Sequence, residues 1–227
     1  MKKKVLVIVA HPDDEVIGCG GYLAKLKSEG CKIYAVHFTD GETARKSSGL
    51  NDINYRKSCA LRASKIIGYQ WIHKYCGIFL DQRLDALPLL ELVQKIEDIK
   101  KQIKPDIVIT HSNKDLNLDH RIIFEAALTA FRPKFSENCK MILSFEIPSA
   151  TDYGVSLSRE NFIPNLSIDI SKFWNKKKKA LLAYKKELQK YPNSLSLRGI
   201  EILNRLRGVQ SGLQIAEGFE IIRKIEK

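Results

Sequence analysis

The chain has 227 residues, and 44% of them are apolar, which is enough to form a hydrophobic core. Its 38 lysines and arginines outnumber its 26 aspartates and glutamates, giving a formal net charge of +12. Five cysteines, an odd number without CxxC spacing, argue against a disulfide framework or a structural zinc knot. No apolar run approaches the ~18 residues that a membrane span requires, so we expect no membrane-spanning segment.

The first segment, MKKKVLVIVAHPDDE, imitates a secretory signal peptide because a basic stretch precedes an apolar one. The apolar part, Val5–Ala10, has only six residues and runs directly into charged residues, with no small-residue cleavage site. We therefore interpret it as the first β-strand and expect a cytoplasmic protein.

The surplus of positive charge would suit a nucleic acid, a membrane surface or an anionic small molecule. The longest basic run, Lys176–Lys179, lies in a stretch with helical periodicity, where four successive side chains point in directions about 100° apart. The run forms no single stripe, and neither interleaved aromatic residues nor a recognition motif accompanies it. We expect no nucleic-acid partner. We expect a small-molecule substrate, and an anionic group on it would be compatible with the charge.

Apolar strands alternate with amphipathic helices over the first two-thirds of the chain, and the pattern changes after that. In chain order it predicts strand Lys4–Ala10, helix Val16–Glu29, strand Lys32–Thr39, helix Ile53–Ile67, a short strand around Trp71–Tyr75, helix Leu89–Ile103, strand Asp106–Thr110, helix His120–Phe131, strand Met141–Ile147, strand Ile163–Ile170, helix Phe173–Leu188 and helix Ser196–Ile215. This order indicates an α/β fold: a mostly parallel sheet flanked by helices, with a C-terminal strand and helix extension on the same core. No Gly/Ser/Pro-rich linker divides the chain, which favours a single domain over residues 1–227.

Metal-ligand residue types follow two of the predicted strands. The first strand leads into His11-Pro12-Asp13-Asp14-Glu15, and the Asp106–Thr110 strand leads into the polar loop 111–119 and His120. Ligands of open parallel sheets bind at the carboxyl ends of the strands, where both segments lie. Two imidazoles and a carboxylate from separate loops form a three-ligand site that leaves a coordination position for water.

Two adjacent aspartates permit a division of labour at such a site. One can coordinate the metal, and the other can accept a proton from a water whose pKa zinc lowers to near 7. Pro12 fixes its own φ and biases His11 away from the helical region, which helps a tight turn to project His11 and Asp14 toward one point. The alternative is that both segments only cap helices, since acidic side chains favour helix N-termini. Their occurrence at two strand ends of one sheet favours the metal site.

These motifs resemble those of the PIG-L/LmbE family of metal-dependent N-deacetylases, over nearly the whole chain. The matching positions are Ala10–Glu15, Gly18, Gly20-Gly21, Thr39-Asp40-Gly41, Arg56, Ala60, Ala63, Asp81–Asp85, Asp115-x-Asn117-x-Asp119-His120-Arg121 and Ala216–Phe219. The resemblance implies a Rossmann-like sheet and an enzyme that hydrolyses the N-acetyl group, or a similarly small acyl group, of an amino sugar.

The resemblance also implies roles for individual residues. It makes His11, Asp14 and His120 the zinc ligands, Asp13 the general base, and Arg56 a residue lining the substrate pocket. Two histidines and one carboxylate would also suit Fe(II) or another divalent ion. Members of the family often assemble, so a homo-oligomer is left open.

The second motif departs from the common form of the family. Many members carry a histidine three residues before the ligand histidine, where it helps to stabilise the oxyanion, and here that position is Asn117. An amide donates a hydrogen bond but cannot become a cation. The oxyanion group is therefore left open between the metal alone, Asn117, Arg56 and His111. Asp119 is expected to orient a neighbouring donor or to cap the helix, and His111 to support the ligands from behind.

Two other classes of function stay open. A metal-dependent phosphoesterase could use the same metal-activated water, and a nucleotide-sugar binding protein could share the sheet. The second class is disfavoured because HPDDE stands where a G-x-G-x-x-G loop would be, and its carboxylates would repel a pyrophosphate.

Overall fold

The computed structural model describes residues 2–135, 137–156 and 161–226. Within them, the strands are β1 (Lys4–Val9), β2 (Lys32–His37), β3 (Gln70–Trp71), β4 (Ile107–His111), β5 (Met141–Phe145), β6 (Leu166–Asp169) and β7 (Ala216–Lys224). The α-helices are α1 (Asp14–Ser28), α2 (Leu50–Ile67), α3 (Leu89–Ile103), α4 (Leu118–Ala130), α5 (Trp174–Ala183) and α6 (Leu197–Val209). No helix in this described part of the chain has the length and apolar character needed to cross a bilayer.

The strands of the described residues form one sheet in the order β3-β2-β1-β4-β5-β7-β6. Strands β1 to β5 pair in parallel, whereas β7 runs antiparallel to both β5 and β6. The predicted α/β fold with a mostly parallel sheet is therefore confirmed. The C-terminal extension consists of β6, α5, α6 and β7, and its two strands continue the same sheet.

Helices cover both faces of the sheet, and β1 shows why the sequence folds this way. Its residues Val5, Val7 and Val9 face the apolar layer formed with α1, α2, α5 and α6. Leu6 and Ile8 face the opposite layer, formed with α3 and α4. Because successive side chains of a strand point to opposite faces, a strand buried on both sides must be apolar throughout.

The strand order reverses at β1. The chain passes from β1 through α1 to β2 on one side, and β4 lies on the other side of β1. This reversal opens a crevice at the carboxyl ends of β1 and β4, where open α/β sheets bind their ligands. Residues 11–15 and 111–120 begin at these two strand ends.

Several predicted boundaries differ from the structure. Only Gln70–Trp71 of the strand expected around Trp71–Tyr75 pairs with β2, and His73–Tyr75 forms a 3₁₀ turn. The helix predicted to reach Leu188 ends at Ala183, because the following residues turn inward to contact the site. The strand and helix predicted over 163–170 and 196–215 are likewise shorter than expected.

Strand β7 was not predicted at all. Its sequence AEGFEIIRK contains charged residues that suggest a solvated segment. In the structure both internal glutamates are buried and paired: Glu217 with Lys177 at 2.7 Å, and Glu220 with Lys114 at 2.8 Å. Because these partners come from distant parts of the chain, the local sequence pattern does not predict this strand.

Candidate active site

A cavity of about 570 Å³ lies at the carboxyl ends of β1 and β4. Six of the eight residues selected from the sequence line it: His11, Asp13, Asp14, Arg56, Asn117 and His120. The volume is within the range of about 300–1,000 Å³ that small-molecule sites have. The cavity therefore brings the two motifs into one candidate site.

Three donor atoms converge at its floor. The Nδ1 of His11, the Oδ2 of Asp14 and the Nε2 of His120 form a triangle with edges of 3.1, 3.3 and 3.5 Å. Donors placed about 2.1 Å from a tetrahedral zinc ion would lie roughly 3.4 Å from one another. The tight turn after β1 is closed by the His11 amide, which donates to Asp14 Oδ2 at 2.8 Å. The residues present thus fit a divalent metal ion.

The charges around the triangle favour a cation. Burial alone would lower the pKa of His11, but contacts with Asp119, Asp14 and Asp81 raise it well above its ordinary value. Burial likewise opposes protonation of His120, whereas Asp14 and Asp115 raise its pKa. Carboxylates that attract protons onto two buried imidazoles would equally stabilise a metal ion held by those imidazoles.

Asp13 stands beside the triangle in an unusual backbone conformation. Its φ is 142°, in a region that costs a non-glycine residue on the order of 1–3 kcal/mol. Its Oδ2 accepts a hydrogen bond from Arg56 at 2.9 Å. Burial raises the pKa of Asp13 to about 7, although Arg56 opposes this shift. A carboxylate with such a pKa can both accept and return a proton near neutral pH.

Arg56 is buried within a network of charges that the sequence analysis missed. Besides Asp13, its guanidinium contacts Glu187 and lies 4.0 Å from Glu42. Arg45, whose side chain is half exposed, contacts both of these glutamates as well. Glu187 follows a lysine-rich helix, so nothing in its local sequence distinguishes it from a solvated residue.

Glu15, the last residue of the HPDDE motif, supports the backbone of that motif. It is fully buried, and its Oε2 accepts the backbone amide of Asp13 at 3.0 Å. Its Oε1 accepts hydroxyl hydrogen bonds from Tyr69 at 2.6 Å and Tyr184 at 2.9 Å. Burial raises the pKa of Glu15 to about 7, with the tyrosine hydroxyls opposing. These contacts hold the strained Asp13 backbone in place.

Asn117 and Asp119 hold the start of α4 and the loop opposite. The Oδ1 of Asn117 accepts the Asp119 amide at 2.9 Å and so caps the helix. The backbone amide of Asn117 donates to Asp115 Oδ1 at 2.9 Å, whereas its side-chain Nδ2 donates to no partner among the described residues. The Asp119 carboxylate accepts the backbone amides of Gln82 at 2.9 Å and Leu84 at 3.2 Å. The capping role considered for Asp119 is thus filled by its neighbour.

His111 lies behind the site rather than in the cavity lining. It is fully buried, and its Nε2 accepts the Ala10 amide at 2.9 Å. Its ring stacks on that of His120, with centroids 3.9 Å apart and planes 10° apart. Burial lowers the pKa of His111 to about 4, so the ring is neutral near pH 7. It supports both the turn after β1 and the His120 ring.

Known proteins are similar to this chain in sequence. The deacetylase YaiS of Escherichia coli K12, described as uncharacterised, is 36% identical over 154 residues, covering 65% of this chain and 76% of that protein. The diacetylchitobiose deacetylase of Thermococcus kodakarensis is 27% identical over 231 residues, covering 97% of this chain and 83% of that one.

Solved structures share the fold. The N,N'-diacetylchitobiose deacetylase of Pyrococcus horikoshii superimposes with a TM-score of 0.74 at 23% identity, over 97% of this chain and 84% of that chain. The 4-carboxy-2-hydroxymuconate hydratase GalB of Pseudomonas putida KT2440 gives the same TM-score at 21% identity, over 99% and 98%. Since a hydratase shares this fold, the fold alone does not assign the reaction.

The family assignment comes from the sequence of the site-bearing part of the chain. The family model described as GlcNAc-PI de-N-acetylase, PIG-L, matches residues 6–131, which is more than half of the chain. This range includes both strand ends that form the metal-donor triangle. The expected family and its class of hydrolytic amidases are therefore confirmed: the chain belongs to the PIG-L family of de-N-acetylases.

Proposed function

We propose that this protein is a zinc-dependent N-deacetylase that removes an acetyl, or similarly small acyl, group from an amino-sugar-like substrate. The proposal rests chiefly on one observation, the triangle of His11, Asp14 and His120 donors beside the carboxylate of Asp13. Family membership supports the reaction class. The Thermococcus relative supports an acetylated sugar as substrate.

His11, Asp14 and His120 would hold the zinc ion. When bound, zinc supplies a Lewis acid and lowers the pKa of a coordinated water to near 7. Asp13 accepts the proton of the attacking water through its Oδ1, since Arg56 occupies Oδ2. The Oδ1 atom accepts no hydrogen bond from the described residues, and Asp13 lines the cavity. Arg56 and the Glu15 contact to the backbone fix the direction in which this carboxylate points.

The same carboxylate can complete the reaction. After water adds to the amide carbonyl, Asp13 returns the proton to the nitrogen as the carbon–nitrogen bond breaks, giving acetate and a free amine. Asn117 lines the cavity, and we assign its side-chain Nδ2 as a donor to the oxygen on which negative charge develops. Being neutral, it would contribute less there than a cationic histidine.

The charges of the cavity favour an uncharged sugar over a phosphorylated one. Its described lining includes two arginines, and both contact Glu187. With Asp13, Asp14 and Asp81, the lining holds four carboxylates against two arginines, so a divalent ion would bring its formal charge only to zero. The net charge of +12 is therefore not concentrated at the site, and a phosphate there would meet no uncommitted lining cation. The same balance disfavours the phosphoesterase alternative.

A substrate panel tests the proposal. The purified protein, supplied with zinc, is incubated with N-acetylglucosamine, diacetylchitobiose, N-acetylglucosamine 6-phosphate and a nucleotide-linked N-acetylglucosamine, and released acetate is measured. We expect acetate from an uncharged sugar, with lower kcat/KM for the phosphorylated forms. Phosphate release from esters without acetate release would replace the deacetylase by a phosphoesterase.

A further inference from the structure

Each of the two histidines at the donor triangle has a carboxylate against its other ring nitrogen. The Nε2 of His11 lies 2.9 Å from Asp81 Oδ1, and the Nδ1 of His120 lies 2.9 Å from Asp115 Oδ2. We propose that Asp81 and Asp115 are positioning residues that fix the tautomer and direction of the two imidazoles. This inference rests on the metal centre of the proposed function.

Asp115 is built into the fold for this contact. Only 1% of it is exposed, and each of its oxygens is engaged. Oδ1 accepts the Asn117 amide at 2.9 Å, and Oδ2 accepts the Thr151 hydroxyl at 3.0 Å in addition to His120 Nδ1. Thr151 Oγ1 in turn accepts the Ile147 amide at 2.8 Å. The orientation of His120 is thus tied to the end of β5.

Asp81 stands in the cavity wall, and its buried Oδ1 has no hydrogen-bond partner among the described residues, although it lies 2.9 Å from His11 Nε2. Two other groups approach that nitrogen: Asp119 Oδ2 at 3.5 Å and Gln82 Nε2 at 3.4 Å. Both are farther away, and Asp119 already accepts two backbone amides. Asp81 is therefore the carboxylate available to accept the His11 ring proton.

These outer contacts decide what the inner atoms can do. An imidazole whose outer nitrogen carries the proton presents a lone pair at its inner nitrogen. The inner nitrogens of His11 and His120 are 3.1 Å apart and both near Asp14 Oδ2, so three acceptors face one another. A cation relieves their mutual repulsion, and the carboxylates make both rings more basic ligands.

Zinc affinity tests this inference without reference to turnover. The dissociation constant for Zn²⁺ is measured by competition with a fluorescent chelator for the wild type, Asp81→Asn and Asp115→Asn, together with the visible absorption of the Co²⁺ forms. We expect each variant to bind Zn²⁺ about 10- to 100-fold more weakly, with an altered Co²⁺ spectrum. Glu220→Gln is the control, because it removes a buried carboxylate that contacts Lys114 and Ser144 instead of a histidine.

Melting temperatures of the metal-free proteins separate positioning from folding. Lower stability with unchanged Zn²⁺ affinity in both aspartate variants would overturn the inference, as would equal weakening in Glu220→Gln. If Asp115→Asn fails to fold, Thr151→Val removes one donor to Asp115 and should weaken Zn²⁺ binding less than tenfold, while Thr151→Ser restores it. A wild type that binds neither Zn²⁺ nor Co²⁺ would refute the metal centre itself, and with it this inference.

Discussion

The replacement Asp13→Asn tests whether this residue acts as the general base, because it removes the proton acceptor and keeps the fold. An amide of the same size cannot accept the proton of the attacking water. General base catalysis typically contributes about 10²–10⁴-fold, so kcat should fall by that factor. At roughly 1.4 kcal/mol for each factor of ten, the barrier would rise by about 3–5 kcal/mol.

The fold should tolerate this change. Arg56 keeps its contact with Glu187, so no buried guanidinium is left without a carboxylate. The Asp13 backbone amide still donates to Glu15, which maintains the turn. Burial raises the pKa of the Asp13 carboxyl, meaning that its charged form is costly in the metal-free protein, and the amide removes that cost. The melting temperature above pH 7 should therefore stay level or rise.

Three measurements on two variants decide the matter: zinc content, melting temperature and turnover for Asp13→Asn and Asp14→Asn. Asp14→Asn should lose zinc, because it replaces an anionic ligand by a neutral amide. Asp13→Asn should retain zinc and lose turnover. If both aspartates only capped α1, each change would instead cost about 0.5–2 kcal/mol of stability and leave the zinc content unaltered. Full turnover by Asp13→Asn would refute the assigned role of this residue.

Three further changes test the surroundings of the site. Arg56→Met leaves buried carboxylates without their counter-charge and should cost about 3–5 kcal/mol in the free energy of unfolding, measured by urea titration. Arg45→Met is the control: this half-exposed arginine has two of the same partners, and its loss should cost less than about 1 kcal/mol. Burial lowers the pKa of His37 to about 4, so the unfolded chain binds more protons as the pH falls from 6.5 toward 4 and stability declines over that window. His37→Asn should remove up to about 3 kcal/mol of that loss in the free energy of unfolding. If the free energy of unfolding of both proteins falls equally with pH over this window, protonation of His37 is not the cause. Gly18→Ala would press a methyl group into the ring of Phe145 and should cost about 1–3 kcal/mol, measured by thermal unfolding; an unchanged melting temperature would show that the ring can move aside.

The predictable part of the structure is the part that local patterns encode. A strand buried on both faces must be apolar throughout, as Lys4–Ala10 is, and parallel strands place their carboxyl ends at one edge of the sheet. From these two rules the sequence predicts that His11 and Asp14 approach His120. The triangle of donors is the geometric form of that expectation.

The carboxylates that support the site were harder to find, because their partners come from other elements. Nothing in the sequence around Glu42 and Glu187 predicts their burial, which is matched by contacts with Arg56 from α2 and with Arg45. Among these supporting carboxylates, Asp115 is the one that the sequence comes nearest to predicting. It opens the motif that ends in His120, and a carboxylate next to a ligand histidine is the usual partner of its outer nitrogen.

The residues that line the cavity come from two parts of the chain. Its donor triangle, Asp13 and Arg56 all lie within the family match at residues 6–131, whereas Ile147, Ala150 and Leu195 in its wall lie beyond that match. The apolar surface of the wall cannot take part in proton transfer, yet it faces any substrate bound above the metal donors. The donors thus come from one segment and part of the apolar wall from the other, and the two are joined through the contacts of Thr151 with Asp115 and of Glu187 with Arg56. A change in the outer segment can thus reach the donors through these contacts and through the hydrogen bond of Tyr184 with Glu15.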